Sequence, residues 1–216
     1  QIAGFSEAFN AVWEAVAIDY YNQNKTTDAM PKFIGPETIA FSSSRLGTPQ
    51  SYIDNFDKTK LDRIYAFSHH LYQNTDNSNY PDHVNTEMSD FKTNNNYKPI
   101  FQTEFAILPQ SNYLTPNEGE WDSAYKLAKL IYNSLVIEEV SAYFYWSLLW
   151  EGTNKQGLIM YSDNQWIYTP EYWSFMHYSR FIEMDSRRIG ISSDNSNIHV
   201  SGLSLIHISE PTRRYE

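Results

Sequence analysis

The chain contains no cysteine in its 216 residues. That removes a disulfide framework and thiolate chemistry together, and it leaves the compartment open. Basic residues are scarce: 16 Lys and Arg stand against 26 Asp and Glu, a formal charge of −10. Nucleic acid or an anionic membrane surface would call for a clustered basic face, so neither is expected as a partner. No apolar run reaches the length of a membrane span and no signal peptide is visible, so membrane insertion is not expected. Gln1, with no Met before it, leads almost directly into a helical pattern, and a longer parent polypeptide is expected. Aromatic side chains are abundant at 16%, with 17 Tyr and 6 Trp. Tyr and Trp combine apolar area with a polar handle, which suits a pyranose with its C–H faces and hydroxyl rim. An aromatic-rich core is the competing reading. The hydrophobic share, 41%, is enough for one domain with a sizeable core.

The periodicity alternates between helix and strand. Ala3 to Tyr21 reads as an amphipathic helix, with Phe5, Phe9, Val12, Trp13, Val16 and Tyr20 on one face. Pro31 to Glu37 reads as a short strand stopped by Gly35-Pro36, and a polar helix-and-loop stretch follows to Lys60. Arg63 to Ser68 is the second strand, ending in His69-His-Leu-Tyr72; a short helix near Val84 to Asn94 follows an Asn-rich stretch. The Glu104 strand is third. A helix over 117–135 leads to the fourth, Val140 to Trp150, and then to a Gly-bearing loop. Tyr172 to Ile182 reads as a last helix, with Tyr172, Tyr178 and Phe181 as its packing residues. Arg187 to Ser204 reads as two short strands around Ser193-Asp-Asn-Ser196. Such alternation predicts crossover-connected parallel strands, an α/β fold; four strands are half of an eight-stranded barrel. Residues 205–216 shed the Asn/Tyr bias and are expected to be non-native or disordered.

The sharpest local feature is Lys98-Pro-Ile-Phe-Gln-Thr-Glu104-Phe-Ala-Ile-Leu108, a carboxylate set into an apolar strand. An unpaired buried carboxylate is costly. Placing Glu104 at the carboxyl end of a parallel strand, opening into a cleft, avoids that cost, and in a β/α barrel that end carries the catalytic groups. A structural ion pair with Lys or Arg is the alternative. Each of the other strands also ends in groups suited to a sugar site: Glu37 on the first, His70 and Tyr72 on the second, Tyr145, Trp146 and Trp150 on the fourth. Four such endings in succession are hard to explain as packing alone.

Phe33-Ile-Gly-Pro-Glu-Thr38, His69-His-Leu-Tyr72, Phe101-Gln-Thr-Glu104, Val140-Ser-Ala-Tyr-Phe-Tyr-Trp146 and the Tyr172 to Ile182 segment, in this order and spacing, resemble glycoside hydrolase family 30, in its xylanase-like branch. The resemblance covers about residues 1 to 203 and implies a retaining enzyme. Its fold would be a (β/α)8 barrel, of which this chain holds strands five to eight (residues 1–184), with the start of an attached β-sandwich (185–204). It implies Glu104 as nucleophile, His70 and Tyr72 as groups that bind substrate or orient Glu104, and Trp146 as the floor under the reacting sugar. Adjacent strand residues face opposite ways, so the motif match is what selects His70 over His69. The family's acid/base lies in an Asn-Glu-Pro motif that is absent here, and it is expected upstream of Gln1. Glu37 is read as a substrate-contact or supporting carboxylate, the acid being its alternative role.

One departure stands out. Glucuronate-dependent members of the family carry an arginine just after the strand-eight aromatic pair; here the positions read Ser147-Leu-Leu-Trp150. Leu149 cannot neutralise a carboxylate, which points to a neutral β-linked chain such as plain xylan. The resulting expectation is a fragment of a secreted endo-β-glycan hydrolase, inert by itself, with no metal or other cofactor and monomeric at full length. Its rivals are another retaining β-glycosidase of the same barrel clan, glucosylceramidase-like or a β-1,6-glucanase, and a non-catalytic carbohydrate-binding protein.

Overall fold

The computed structural model describes residues 2–26, 29–41, 47–72, 85–107, 120–151 and 157–204. They fall into two compact units, Gln1–Ala106 with Ile137–Trp146, and Ile107–Val136 with Ser147–Glu216. The boundary expected near residue 184 lies inside the second unit, and residues 205–216 lie outside the described ones.

The first unit holds α1 (Phe5–Asn22), α2 (Pro49–Asp54), a 3-10 turn (Lys58–Arg63), β1 (Phe67–His70), α3 (Asn85–Asn94), β2 (Ile100–Glu104) and β3 (Ala142–Tyr143). β1 pairs with β2 and β2 with β3, both parallel, and the 34–38 segment joins β1 through the parallel bridges Ile34 to Ala66 and Thr38 to His69. The four expected strand segments therefore lie side by side in chain order, as the alternation predicts. Phe67, Ile100, His69 and Gln102 turn to one buried face, where Phe67 and Phe41 meet Phe91 of α3 with ring centroids 5.0 and 5.4 Å apart.

Three expectations need correction. Pro31–Glu37 is no continuous strand: Pro36 has no N–H to donate and Glu37 is left-handed (φ 57°), so only bridges form. The second strand begins later than Arg63, because Lys58–Arg63 is coiled into the 3-10 turn that Asp57 caps, its carboxylate accepting from the Thr59 N–H. The fourth strand ends at Tyr143. Beyond it the ladder stops although β2 continues to Glu104, and the Phe144 and Trp146 N–H groups go to the carbonyls of Gln102 and Phe105.

The apolar face of α1 is largely the one the spacing predicts: Phe5, Phe9, Trp13, Val16 and Tyr20 are part-buried, and Phe5 and Phe9 meet Phe56. Val12 is exposed, and the buried positions are Ser6 and Asn10. Asn10 donates to the Ser6 carbonyl and accepts from Arg63, whose guanidinium lies over Trp13. Long-range polar partners of this kind leave no mark on hydrophobic spacing.

The second unit holds α4 (Glu120–Tyr132), whose last turn over Asn133–Ile137 is π-helical, then β4 (Leu149–Glu151), β5 (Ile159–Ser162), β6 (Gln165–Tyr168), α5 (Pro170–Ser179), β7 (Arg187–Ile189) and β8 (Gly202–Ser204). The β5–β6 hairpin replaces the loop expected there. Its turn residues Asp163 and Asn164 both take positive φ, the demand of a tight hairpin turn. α4 and α5 are tied by Ser174 and Tyr178, whose hydroxyls donate to the Ala124 and Ala128 carbonyls at 2.8 and 2.9 Å. Phe181, expected to pack, is 69% exposed. β7 and β8 pair antiparallel, the two short strands expected around residues 193–196. Among the described residues no helix is long and apolar enough to cross a membrane.

Candidate active site

The carboxyl ends of β1 and β2 carry a cluster that strict alternation would not produce. Phe67 to His69 pair with Ile100 to Gln102 in order, but His70 then pairs with Glu104, so β2 gains one residue, Thr103, at the slip. Continued alternation from Gln102 would turn Glu104 to the same face as buried Gln102. The extra residue re-aims it toward His70, as bulges beside functional sites do. The Leu71 N–H donates to the Glu104 carbonyl at 3.3 Å and fixes the new register.

His70 Nε2 lies 2.9 Å from Glu37 Oε1 and 3.8 Å from Glu104 Oε2. A carboxylate can only accept, so the proton sits on Nε2 and is donated to Glu37. The three side chains are 18%, 42% and 29% exposed for His70, Glu37 and Glu104, open enough for a ligand and sheltered enough for their mutual field to matter. The Thr103 hydroxyl donates to the same Oε1 of Glu37 and stands 3.2 Å from the His69 carbonyl. Burial pushes the Glu37 carboxyl up, but the hydrogen bonds from His70 and Thr103 outweigh it and hold the group below its usual range; the Ser68 hydroxyl acts in the same sense from beyond ordinary hydrogen-bond geometry.

The adjacent histidine has the opposite surroundings. His69 is fully buried, edge-on to Phe41 at 4.9 Å, and donates from Nδ1 to the His70 carbonyl at 2.8 Å. Desolvation lowers its pKa to about 4, so the ring is neutral near pH 7. Of the two histidines, only His70 meets the carboxylates. Tyr72 stands edge-on to His70 at 5.9 Å, lies against Phe105 at 5.5 Å and accepts the Ala106 N–H, which anchors the chain just past Glu104. Trp146 is tied to the same place, its N–H donating to the Phe105 carbonyl at 3.0 Å while its side chain stays 45% exposed. Tyr145 beside it is half-buried.

The structure thus gathers Glu37, His70, Tyr72 and Glu104 at one end of the first unit's sheet, with Tyr145 and Trp146 on the segment that follows β3. Trp150 is not on that sheet; it belongs to β4, whose partner is β5 in the second unit. Thr103 escapes the sequence reading, since in an unbroken strand it would face away from Glu104 and nothing in the residue string marks the slip. Among the described residues no group of three His, Asp or Glu side chains is arranged to hold a metal ion.

Comparison with solved structures places the fold. It is similar to the catalytic domain of the GH30 xylanase C from Talaromyces cellulolyticus, with a TM-score of 0.63, 18% identity and coverage of 90% of this chain and 39% of that one. A GH30 endoxylanase from Clostridium papyrosolvens gives 0.59 at 18% identity, over 93% of this chain and 53% of that one. SrfJ from Salmonella typhimurium gives 0.61 at 14%, over 86% and 39%. The likeness is one of fold, and the chain spans about two-fifths to half the length of these structures. No protein-family model and no curated protein matches the sequence.

Proposed function

We propose that this chain is the carboxyl-terminal half of a (β/α)8 catalytic barrel, strands five to eight with the start of a β-sandwich, from a retaining endo-β-glycan hydrolase acting on xylan or a related plant polysaccharide. The observation that carries the reading is Glu104, at the carboxyl end of a parallel strand, part-exposed, with His70 of the neighbouring strand beside it. The similarity to two GH30 xylanases supports the reading at the level of fold.

Glu104 attacks the anomeric carbon while a proton donor protonates the leaving oxygen; water then cleaves the glycosyl ester, with the donor acting as base. Retention needs the two carboxyl groups about 5–5.5 Å apart. Glu37 is read as a supporting carboxylate, not as that donor. A general acid has its pKa raised by its surroundings, whereas Glu37 is held ionised by His70 and Thr103. The donor is therefore assigned to polypeptide outside this chain, and the chain alone is inactive. Trp146 and Tyr145 offer aromatic faces to the sugar, and His70 and Tyr72 orient Glu104 or the substrate hydroxyls. The polymer is the partner, taken up outside the cell by a monomer without cofactor, nucleic acid or membrane insertion.

Glu104→Gln, made in the polypeptide that joins this chain to its proton donor, keeps the side-chain shape and removes the nucleophile. Turnover on xylan is expected to fall by several orders of magnitude. Retention of more than about a tenth of wild-type turnover, a barrier change under about 1.4 kcal/mol, would overturn the assignment. A parent protein that binds xylan and never cleaves it would favour the binding-protein reading.

A further inference from the structure

We infer that Thr103 and Glu37 are positioning residues that hold His70 beside Glu104, a role distinct from substrate contact and resting on Glu104 as the proposed nucleophile. Glu37 Oε1 is already engaged twice, by the His70 Nε2–H at 2.9 Å and by the Thr103 hydroxyl. An oxygen with two protein donors is committed to the protein before any sugar arrives.

The chain of contacts closes on itself. Thr103 is the residue inserted at the β1–β2 slip, and its hydroxyl meets Glu37 on one side and the His69 carbonyl on the other. The slip that turns Glu104 toward His70 is thus the same feature that supplies the hydroxyl fixing Glu37. Glu37 itself has φ 57°, a left-handed conformation that a side chain with Cβ seldom takes. Such a conformation persists where the surroundings over-determine it. Here the Glu37 N–H donates to the Ser68 carbonyl at 3.2 Å and its carboxylate is held by two strands at once.

The arrangement suits the proposed chemistry. Glu104 carries a negative charge as nucleophile and none as a glycosyl ester, so the field it exerts on the His70 ring 3.8 Å away changes halfway through each cycle. Glu37 stays charged throughout and keeps the ring in place while water completes the second half.

The test separates kcat from KM in the same parent polypeptide. Thr103→Val and Glu37→Gln are each expected to lower kcat, by up to about 100-fold as for a misplacement near 1 Å, with KM little changed, and Thr103→Ser is expected to restore most of the loss. Near wild-type kcat in Thr103→Val, or a loss confined to KM in Glu37→Gln, overturns the inference provided Glu104→Gln is inactive; an active Glu104→Gln overturns the nucleophile reading instead. If Thr103→Val does not fold, the ring ¹⁵N spectrum of the unsubstituted protein decides. A proton on His70 Nε2 supports the positioning chain, and a neutral ring carrying its proton on Nδ1 overturns it.

Discussion

His70 stands opposite Glu104 across two parallel strands, with Nε2 3.8 Å from Oε2, because β2 is one residue longer than β1 at the slip between His69 and His70. Without the slip, Glu104 would share the packed face of Gln102. The cost of burying an unpaired carboxylate there would be several kcal/mol or more. The slip converts a structural liability into a side chain that is part-exposed and faces His70.

Trp146 is anchored by its backbone to Phe105, one residue past Glu104, while its ring remains 45% exposed. A backbone anchored there with the ring part-exposed fits the proposed role of stacking on a sugar. Trp146→Ala is expected to lower kcat/KM about ten- to thirtyfold, a loss of about 1–2 kcal/mol, with the melting temperature little changed. Unchanged kinetics with a lowered melting temperature would make Trp146 a packing residue.

Acid should weaken the first unit through His69. Its folded pKa of about 4 lies below the ordinary 6.5, so between these values the unfolded chain binds the extra proton. Stability contributed by the neutral ring is intact above pH 6.5 and is lost as pH falls toward 4, by up to about 3 kcal/mol across the window. Glu37, held below 4.5, adds to the loss at lower pH, because protonation there removes a charge the fold favours. Denaturant midpoints measured across pH 6.5 to 4 should decline in the wild type and much less in His69→Gln. Equal slopes would show that His69 is not the group responsible.

Substrate choice follows from the Ser147-Leu-Leu-Trp150 segment, where Leu149 is 54% exposed and the four positions carry no cation for a glucuronate branch. The parent enzyme should cleave undecorated xylan and xylo-oligosaccharides about as fast as glucuronate-bearing xylan. Mass spectrometry of both product sets is the check. Products that always carry a glucuronic acid at one fixed position would refute it.

Much of this was legible in the residues, for identifiable reasons. Glu104 announced itself because a lone carboxylate interrupts an apolar run ending at a parallel strand's carboxyl terminus. The parallel order of the four segments followed from alternating helix and strand patterns. The β5–β6 hairpin is readable too, in Asp163-Asn164 between Ile159-Met-Tyr-Ser162 and Gln165-Trp-Ile-Tyr168, a two-residue turn signal. The early end of the fourth strand was not readable, because Val140 to Trp150 is aromatic or aliphatic except at Ser141 and Ser147 and nothing in it marks where pairing with β2 stops. Nor was the register slip, since pairing between strands more than thirty residues apart is decided by tertiary contacts such as Thr103 to Glu37. The roles of Glu37 and Thr103 depend on that slip, which is why a list of polar strand ends could name the first and had no reason to name the second.

The most direct measurement is covalent. A fluorosugar analogue of a xylo-oligosaccharide with an activated leaving group lets a retaining enzyme form its glycosyl ester and slows the hydrolysis that follows. The parent polypeptide should gain one sugar unit by intact mass, and peptide mapping should place it on Glu104 within Phe101-Gln-Thr-Glu104. A label on Glu37, or none on a polypeptide that turns over xylan, would contradict the account.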